Sequence, residues 1–397
     1  MDGCNKRTGM KFAPITDRLM HLGSDKWGLH FRTRELRARG EPVIELTIGE
    51  PDLTPDREVL EALVSSLYSG RIKYSYGRGE PDTLEAIAKK YTTTRGYQVD
   101  VENVICFPGT QTAIFATILG LTEENDSILV GDPYYATYEG LIASTGAKRI
   151  AVPLKQEHGF RMQASDLERE IRENSRLLLL NNPNNPTGSV LSREEIQEIC
   201  RVCERHDLWI LADEVYENLV YEGEFHSPLM EENYRDRIIS VASVSKTYGV
   251  PGFRSGWAVG PKEFCSRLLP LAETMLFGGV PFIADATAFA LNSTSDFVDR
   301  MGSSYLHRAK LIVEALASSN KIKPFLPSSG MFILMDVAGT GMDGEEFAWK
   351  LLETERVAVM PGNSFGKNAA FFVRISLTVE DDLLVEACHR IRSFVKG

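Results

Sequence analysis

Between about residue 57 and residue 290, short continuous apolar runs alternate with longer helical patterns, and that alternation restricts the chain to few folds. Val104-Ile105-Cys106-Phe107, Ile128-Leu129-Val130, Leu177-Leu178-Leu179-Leu180, Leu208-Trp209-Ile210-Leu211-Ala212 and Ile238-Ile239-Ser240-Val241-Ala242 show no regular polar alternation. Strands covered on both faces read this way, so the runs predict a largely parallel sheet with helices on either side. Glycines at 70, 96 and 146 stop the intervening helical patterns. Beyond about residue 290 the order changes. A helical stretch from Ser295 to Ser319 leads to Gly330-Met331-Phe332-Ile333-Leu334-Met335-Asp336, then helix, strand and a final helix from Glu380. That order predicts a second, smaller α+β unit, and 397 residues suffice for two domains with a large core.

Charge and cysteine usage exclude several classes of partner. Lysine plus arginine total 44 against 55 acids, a net charge of −11, which disfavours nucleic acid. No basic, apolar leader opens the chain and no 18-residue apolar run could span a bilayer, so a cytoplasmic protein is expected. The six cysteines, at 4, 106, 200, 203, 265 and 388, are scattered as reduced thiols are. Cys200-Arg201-Val202-Cys203 with His206 suggests zinc only superficially. It lies in a helical run opened by a Ser192/Glu195 capping box, and no second ligand pair follows, so no metal is expected.

The exits of the predicted strands carry the chemistry. After the run 238–242 comes Ser243-Val244-Ser245-Lys246, and eight residues beyond that lysine, across Pro251-Gly252, stands Arg254. Two cations that close call for an anion. A desolvated lysine beside another positive charge has a lowered pKa, and its amine can then attack a carbonyl and form a Schiff base. Pyridoxal phosphate offers the aldehyde, with its phosphate on the arginine. The run 208–212 ends in Asp213, placed to pair with a pyridinium nitrogen, although a strand-end or N-cap acid reads the same way. Tyr216 follows three residues on. Asn181-Asn182-Pro183-Asn184-Asn185-Pro186-Thr187-Gly188 crowds four amides at another exit, and is equally a turn. Gly109-Thr110-Gln111 opens a helical pattern whose first amides, with the Thr110 hydroxyl, suit a phosphate. Tyr135 can stack on a planar ring or pack in the core.

Taken in order with Leu46-Thr47-Ile48-Gly49-Glu50-Pro51-Asp52, Val357-Ala358-Val359-Met360-Pro361-Gly362 and Val373-Arg374-Ile375-Ser376-Leu377, these motifs give the chain a resemblance over essentially its whole length. It resembles the aspartate aminotransferase family, the class I/II aminotransferases among the fold type I pyridoxal-phosphate enzymes. The resemblance implies an α/β fold with a large cofactor-binding domain at 49–290 and a discontinuous small domain from 1–48 and 291–397. It implies a homodimer with the active site at the subunit interface, and ping-pong transfer of an amino group from an amino acid to a 2-oxo acid. Lys246 becomes the Schiff-base lysine and the base at the substrate Cα. Asp213 partners the pyridine nitrogen, Asn185 and Tyr216 bond the ring oxygen, and Tyr135 stacks on the ring. Gly109, Thr110, Gln111, Ser243 and Arg254 hold the phosphate, with Tyr74 reaching the phosphate of the neighbouring subunit. Arg374 grips the substrate carboxylate bidentately, approached also by the backbone of Gly49, with Asn185 beside it. The chain departs from the family pattern at Gly79-Glu80-Pro81-Asp82-Thr83-Leu84, where Thr-Leu stands in place of Leu-Arg and bears on Tyr74.

The donor is less constrained. Phe277-Gly278-Gly279-Val280-Pro281-Phe282-Ile283, expected beside the site, carries no cation, which favours a neutral or aromatic side chain over a dicarboxylate. Arg32, in Lys26-Trp27-Gly28-Leu29-His30-Phe31-Arg32, is a candidate cation from elsewhere or a solvated helix residue. A β-lyase, a cyclopropane-forming synthase or an aspartate/glutamate-specific transaminase would use the same lysine, aspartate and arginine. A DNA-binding regulator needs a helix-turn-helix that residues 1–45 do not carry. A Ser-x-x-Lys hydrolase needs Ser-Asp-Asn and Lys-Thr-Gly, both absent.

Overall fold

The computed structural model describes residues 11–23 and 28–396; Cys4, Lys26 and Trp27 lie outside them. Among the described residues twelve strands form two sheets: β1 (Ile44–Leu46), β2 (Val104–Phe107), β3 (Ser127–Asp132), β4 (Lys148–Pro153), β5 (Ser175–Asn181), β6 (Trp209–Asp213), β7 (Ile238–Ser243), β8 (Gly256–Val259), β9 (Lys323–Phe325), β10 (Phe332–Asp336), β11 (Val357–Pro361) and β12 (Phe372–Ser376). The seven-stranded sheet runs β2-β8-β7-β6-β5-β3-β4, and β8 alone runs opposite to the other six strands. The apolar runs read from the sequence are these strands. Along them successive side chains enter different cores: Leu177, Leu179, Leu211 and Ile239 pack into one cluster, Leu178, Leu180, Ile210 and Ile238 into another. Period-two alternation is therefore present in three dimensions but invisible in composition, because both faces are dry.

The five-stranded sheet runs β1-β11-β12-β10-β9, with β1 and β11 parallel and the rest antiparallel. Helices Phe297–Leu316 and Asp381–Lys396 cover it. The first is shorter than the expected Ser295–Ser319, because Asp296 takes the N-cap position and the final turn ends at Ala317. Gly96 and Gly146 cap helices in the left-handed conformation, and the Ser192/Glu195 box closes reciprocally. Cys200 and Cys203 face the apolar core from that helix, whereas His206 contacts Glu168 at 3.1 Å.

A buried charge cluster lies just beyond the carboxyl end of β6. Arg95, at the end of helix Pro81–Arg95, donates to Glu214 at 3.0 Å and to Glu217, which also takes Lys90. Burial pushes the Glu217 carboxyl up, but Lys90 and Arg95 overcome it and hold the group at about 2. Arg95→Ala leaves two buried carboxylates short of a partner. It is expected to cost about 3–5 kcal/mol of stability by denaturant unfolding, the penalty of uncompensated buried charge.

Candidate active site

Strands β2, β3, β5, β6 and β7 point their carboxyl ends the same way, the edge where open parallel sheets place ligand groups. Facing that edge are the segment after β1 and residues of β10, β11 and β12, and between them lies a cavity of about 220 Å³. Thr110, Gln111, Tyr135, Asn185, Asp213, Tyr216, Ser243, Lys246, Arg254, Arg374 and Gly49 all line it, and Gly109 adjoins.

The anion end is built by backbone geometry. Gly109, at φ +86°, turns the chain from β2 into helix Thr110–Leu121, and a Cβ there would stand 2.3 Å from an Arg254 terminal nitrogen. Arg254 itself sits at φ +51°, donating from Nη1 to the Pro251 carbonyl at 2.8 Å and from Nη2 to the Pro108 carbonyl at 3.3 Å. The Thr110 hydroxyl is buried without a protein partner. Ser243 caps the short helix Val244–Thr247, accepting from the Ser245 N–H at 3.3 Å. These groups converge with unspent donors.

Lys246, one turn beyond, donates from Nζ to the Gly49 carbonyl at 2.7 Å. Burial, then the charges of Arg374 and Arg254, lower its pKa to about 8 against the opposing field of Glu50. Asp213 ends β6. Its Oδ2 accepts from the Tyr138 hydroxyl at 2.5 Å and its Oδ1 from the Val215 N–H at 3.3 Å. Burial nevertheless raises its carboxyl to about 6. The ladder pairs Asn181 with Asp213, and the Asn181 amide donates to the Asp213 carbonyl at 3.1 Å while its own oxygen accepts from the Asn185 N–H at 2.8 Å. That chain fixes Asn185, whose amide donates to Tyr216 Oη at 3.4 Å.

Arg374, central in β12, lies between two rings, with its guanidinium carbon 3.8 Å from the Phe332 centroid and 4.6 Å from that of Phe365. It donates from Nη1 to Asn185 Oδ1 at 3.1 Å and from Nη2 to the Thr47 carbonyl at 2.6 Å; Nε has no protein partner. Burial lowers its pKa to about 10, so the group remains a cation at neutral pH. A Cβ on Gly49 would fall 2.1 Å from Phe332, so only glycine allows that ring its place against Arg374.

Tyr74 lies outside this cavity, 88% exposed and edge-on to Phe277 at 5.1 Å. Phe277 and its neighbours likewise do not line it. Arg32 pairs with Glu353 and Glu35, both at 2.8 Å, on the outer surface. Sequence reading missed Tyr138, Phe332 and Phe365. Tyr138 stands three residues after Tyr135, a spacing that would have hinted at a shared face, whereas nothing local marks the two phenylalanines.

The chain and its fold match known proteins over nearly their whole length. Residues 41–391 fit the model of the family described as aminotransferase class I and II. The arginine–pyruvate transaminase AruH of Pseudomonas aeruginosa is 35% identical over 96% of this chain and 97% of its own length. An aspartate aminotransferase of Pyrococcus horikoshii is 32% identical over 92% of this chain and 95% of its own. Among solved structures, the aspartate aminotransferase of Thermus thermophilus with maleate superposes with a TM-score of 0.91 at 29% identity, covering 98% of this chain and 99% of that one. The chain therefore belongs to the class I and II aminotransferases, the fold type I, pyridoxal-phosphate-dependent enzymes that move an amino group from an amino acid to a 2-oxo acid.

Proposed function

We propose that the cavity holds pyridoxal phosphate with its phosphate at Gly109, Thr110, Gln111, Ser243 and Arg254, and its ring between Tyr135 and the β6 end. The residues fit such a group: an unpartnered buried hydroxyl at Thr110, a side-chain-free approach at Gly109 and an arginine at one end, an acid at the other. Bound there, the cofactor supplies an aldehyde that captures an amino group and a ring that draws electrons from the substrate Cα. Lys246 Nζ would anchor that aldehyde and, once displaced by substrate, would be the base that takes the proton from Cα and delivers it to the former aldehyde carbon, the shift that amino-group transfer requires. Asp213 holds the proton on the ring nitrogen. Asn185 and Tyr216 hydrogen-bond the ring oxygen, and Arg374, with the Gly49 backbone, orients the substrate carboxylate. The observation that carries the reading is the convergence of a weakened amine, a buried acid and a ring-sandwiched guanidinium on one cavity.

We further propose that the donor carries a neutral or aromatic side chain. Ile48, Ile114, Val215, Phe332, Met360 and Phe365 supply apolar wall, and the lysine and arginines among the described lining residues, Lys246, Arg254 and Arg374, all have assigned tasks. Arginine is the second reading, favoured by the arginine–pyruvate activity for which the Pseudomonas relative is named and by Glu50, whose field reaches Lys246. The test mixes cofactor-loaded enzyme with phenylalanine, leucine, arginine or aspartate, without oxo acid, and follows the cofactor absorbance. Phenylalanine or leucine should convert it at least about tenfold faster than aspartate, the scale on which side-chain pockets discriminate. Aspartate as the fastest donor would reject the proposal, and arginine would establish the second reading.

The assembly is proposed as a homodimer. Tyr68, Ile72, Tyr74, Tyr76 and Phe277 form an exposed apolar surface of the kind that marks protein contacts. In the resemblance to the family, Tyr74 is the residue that would reach the phosphate of the neighbouring subunit. Residues 49–290 and the pair 1–48 with 291–397 are taken as the two domains, since each bears its own sheet. Among the described residues no helix is long and apolar enough to cross a membrane.

A further inference from the structure

Tyr138 does not line the cavity, yet it touches two residues that do. It begins helix Tyr138–Thr145, is fully buried, and its N–H donates to the Tyr135 carbonyl at 2.9 Å. Its hydroxyl donates to Asp213 Oδ2 at 2.5 Å, and its ring meets the ring of Tyr135 edge-on, with centroids 5.6 Å apart and planes at 85°. We propose that Tyr138 is a positioning residue that fixes both groups flanking the cofactor ring, the nitrogen-binding acid through its hydroxyl and the stacking tyrosine through its ring. The inference rests on the reading that Asp213 faces the ring nitrogen.

Three physical points support it. A carboxylate turns about its Cβ–Cγ bond unless each oxygen is held, and Asp213 is held on Oδ1 by the Val215 N–H and on Oδ2 by Tyr138. A neutral donor to a buried carboxylate favours its charged form, the form that retains a pyridinium proton. The other titratable groups whose fields act on or with Asp213 are Glu214, Tyr135 and Tyr216, none of which is hydrogen-bonded to its carboxylate. An edge-to-face pair is moreover the favoured geometry for two buried aromatic rings, so the Tyr138 ring braces the Tyr135 ring by contact.

The experiment compares Tyr138→Phe, Tyr138→Leu and Asp213→Asn as holoenzymes. Tyr138→Phe keeps the ring and loses the hydroxyl. A hydrogen bond to a charged group lost in this way corresponds to about 10- to 100-fold. The kcat should fall by that factor with the amino-acid KM within about twofold. The cofactor dissociation constant, read by equilibrium dialysis, should rise at least about fivefold, and the acid limb of the rate profile should move to higher pH. Tyr138→Leu, lacking ring and hydroxyl, should bind the cofactor more weakly still. If Tyr138→Phe lowers only the melting temperature, leaving kcat, cofactor affinity and pH profile as in the parent, the role is structural and the proposal is overturned. Asp213→Asn separates the two layers of inference. Its impairment beside an unaffected Tyr138→Phe rejects Tyr138 alone, whereas its own full activity rejects the reading beneath.

Discussion

Alanine at position 246 is expected to reduce turnover by at least about 10⁴-fold, because one substitution removes both the anchor for the cofactor aldehyde and the base at the substrate Cα. The cofactor absorbance that depends on the covalent link should vanish, while the phosphate site around Gly109, Thr110 and Arg254 still retains some cofactor. Lys246→Arg should fare no better, since a guanidinium stays protonated and cannot serve as nucleophile or base. A pH test accompanies the mutation. The reactive amine is the deprotonated form, and burial with two neighbouring arginines brings its pKa to about 8. Loading of apo-protein with cofactor should therefore accelerate as pH rises through about 8, where an ordinary lysine would require about 10.4. Substantial activity in Lys246→Ala would refute the assigned mechanism.

Arg374→Ala is expected to raise the amino-acid KM by about 30- to 5,000-fold while leaving the cofactor absorbance nearly unchanged. Losing one partner of a buried, hydrogen-bonded charge pair costs about 2–5 kcal/mol, which sets that range. Arg374 is held at its outer nitrogens by Asn185 and Thr47, and by the faces of Phe332 and Phe365, so its fork is already oriented before substrate enters. Lysine should not rescue the loss. A compact ammonium offers neither the planar fork nor the stacking surface. Release of cofactor from Arg374→Ala, detected spectrally, would place the arginine on the wrong ligand.

Much of the site was legible because its residues sit at strand ends. Asp213, Ser243 and the asparagines of 181–185 each follow an apolar run, and a parallel sheet brings such ends to one edge whatever the loops do. Gly109 was legible for a different reason, since a turn at φ +86° into a helix selects glycine. Arg374 was not legible from position. It lies inside β12, and only its match to a family motif singled it out.

What the sequence by itself determined, then, is the parallel sheet, the helix caps and the order of the strand-end motifs, because these depend on neighbours a few residues apart. Only the tertiary structure decided who meets whom. Lys246 meets Gly49 across 197 positions, Arg374 meets Asn185 across 189, and Tyr138 meets Asp213 across 75. The first two meetings bring the segment after β1 and strand β12 onto the carboxyl edge of the seven-stranded sheet, and the third folds the helix after β3 against the end of β6; the amine, the acid and the guanidinium acquire their shifted pKa values only when such packing excludes water. Periodicity in one dimension carries no record of that exclusion, which arises when residues from distant parts of the chain close over the same small volume.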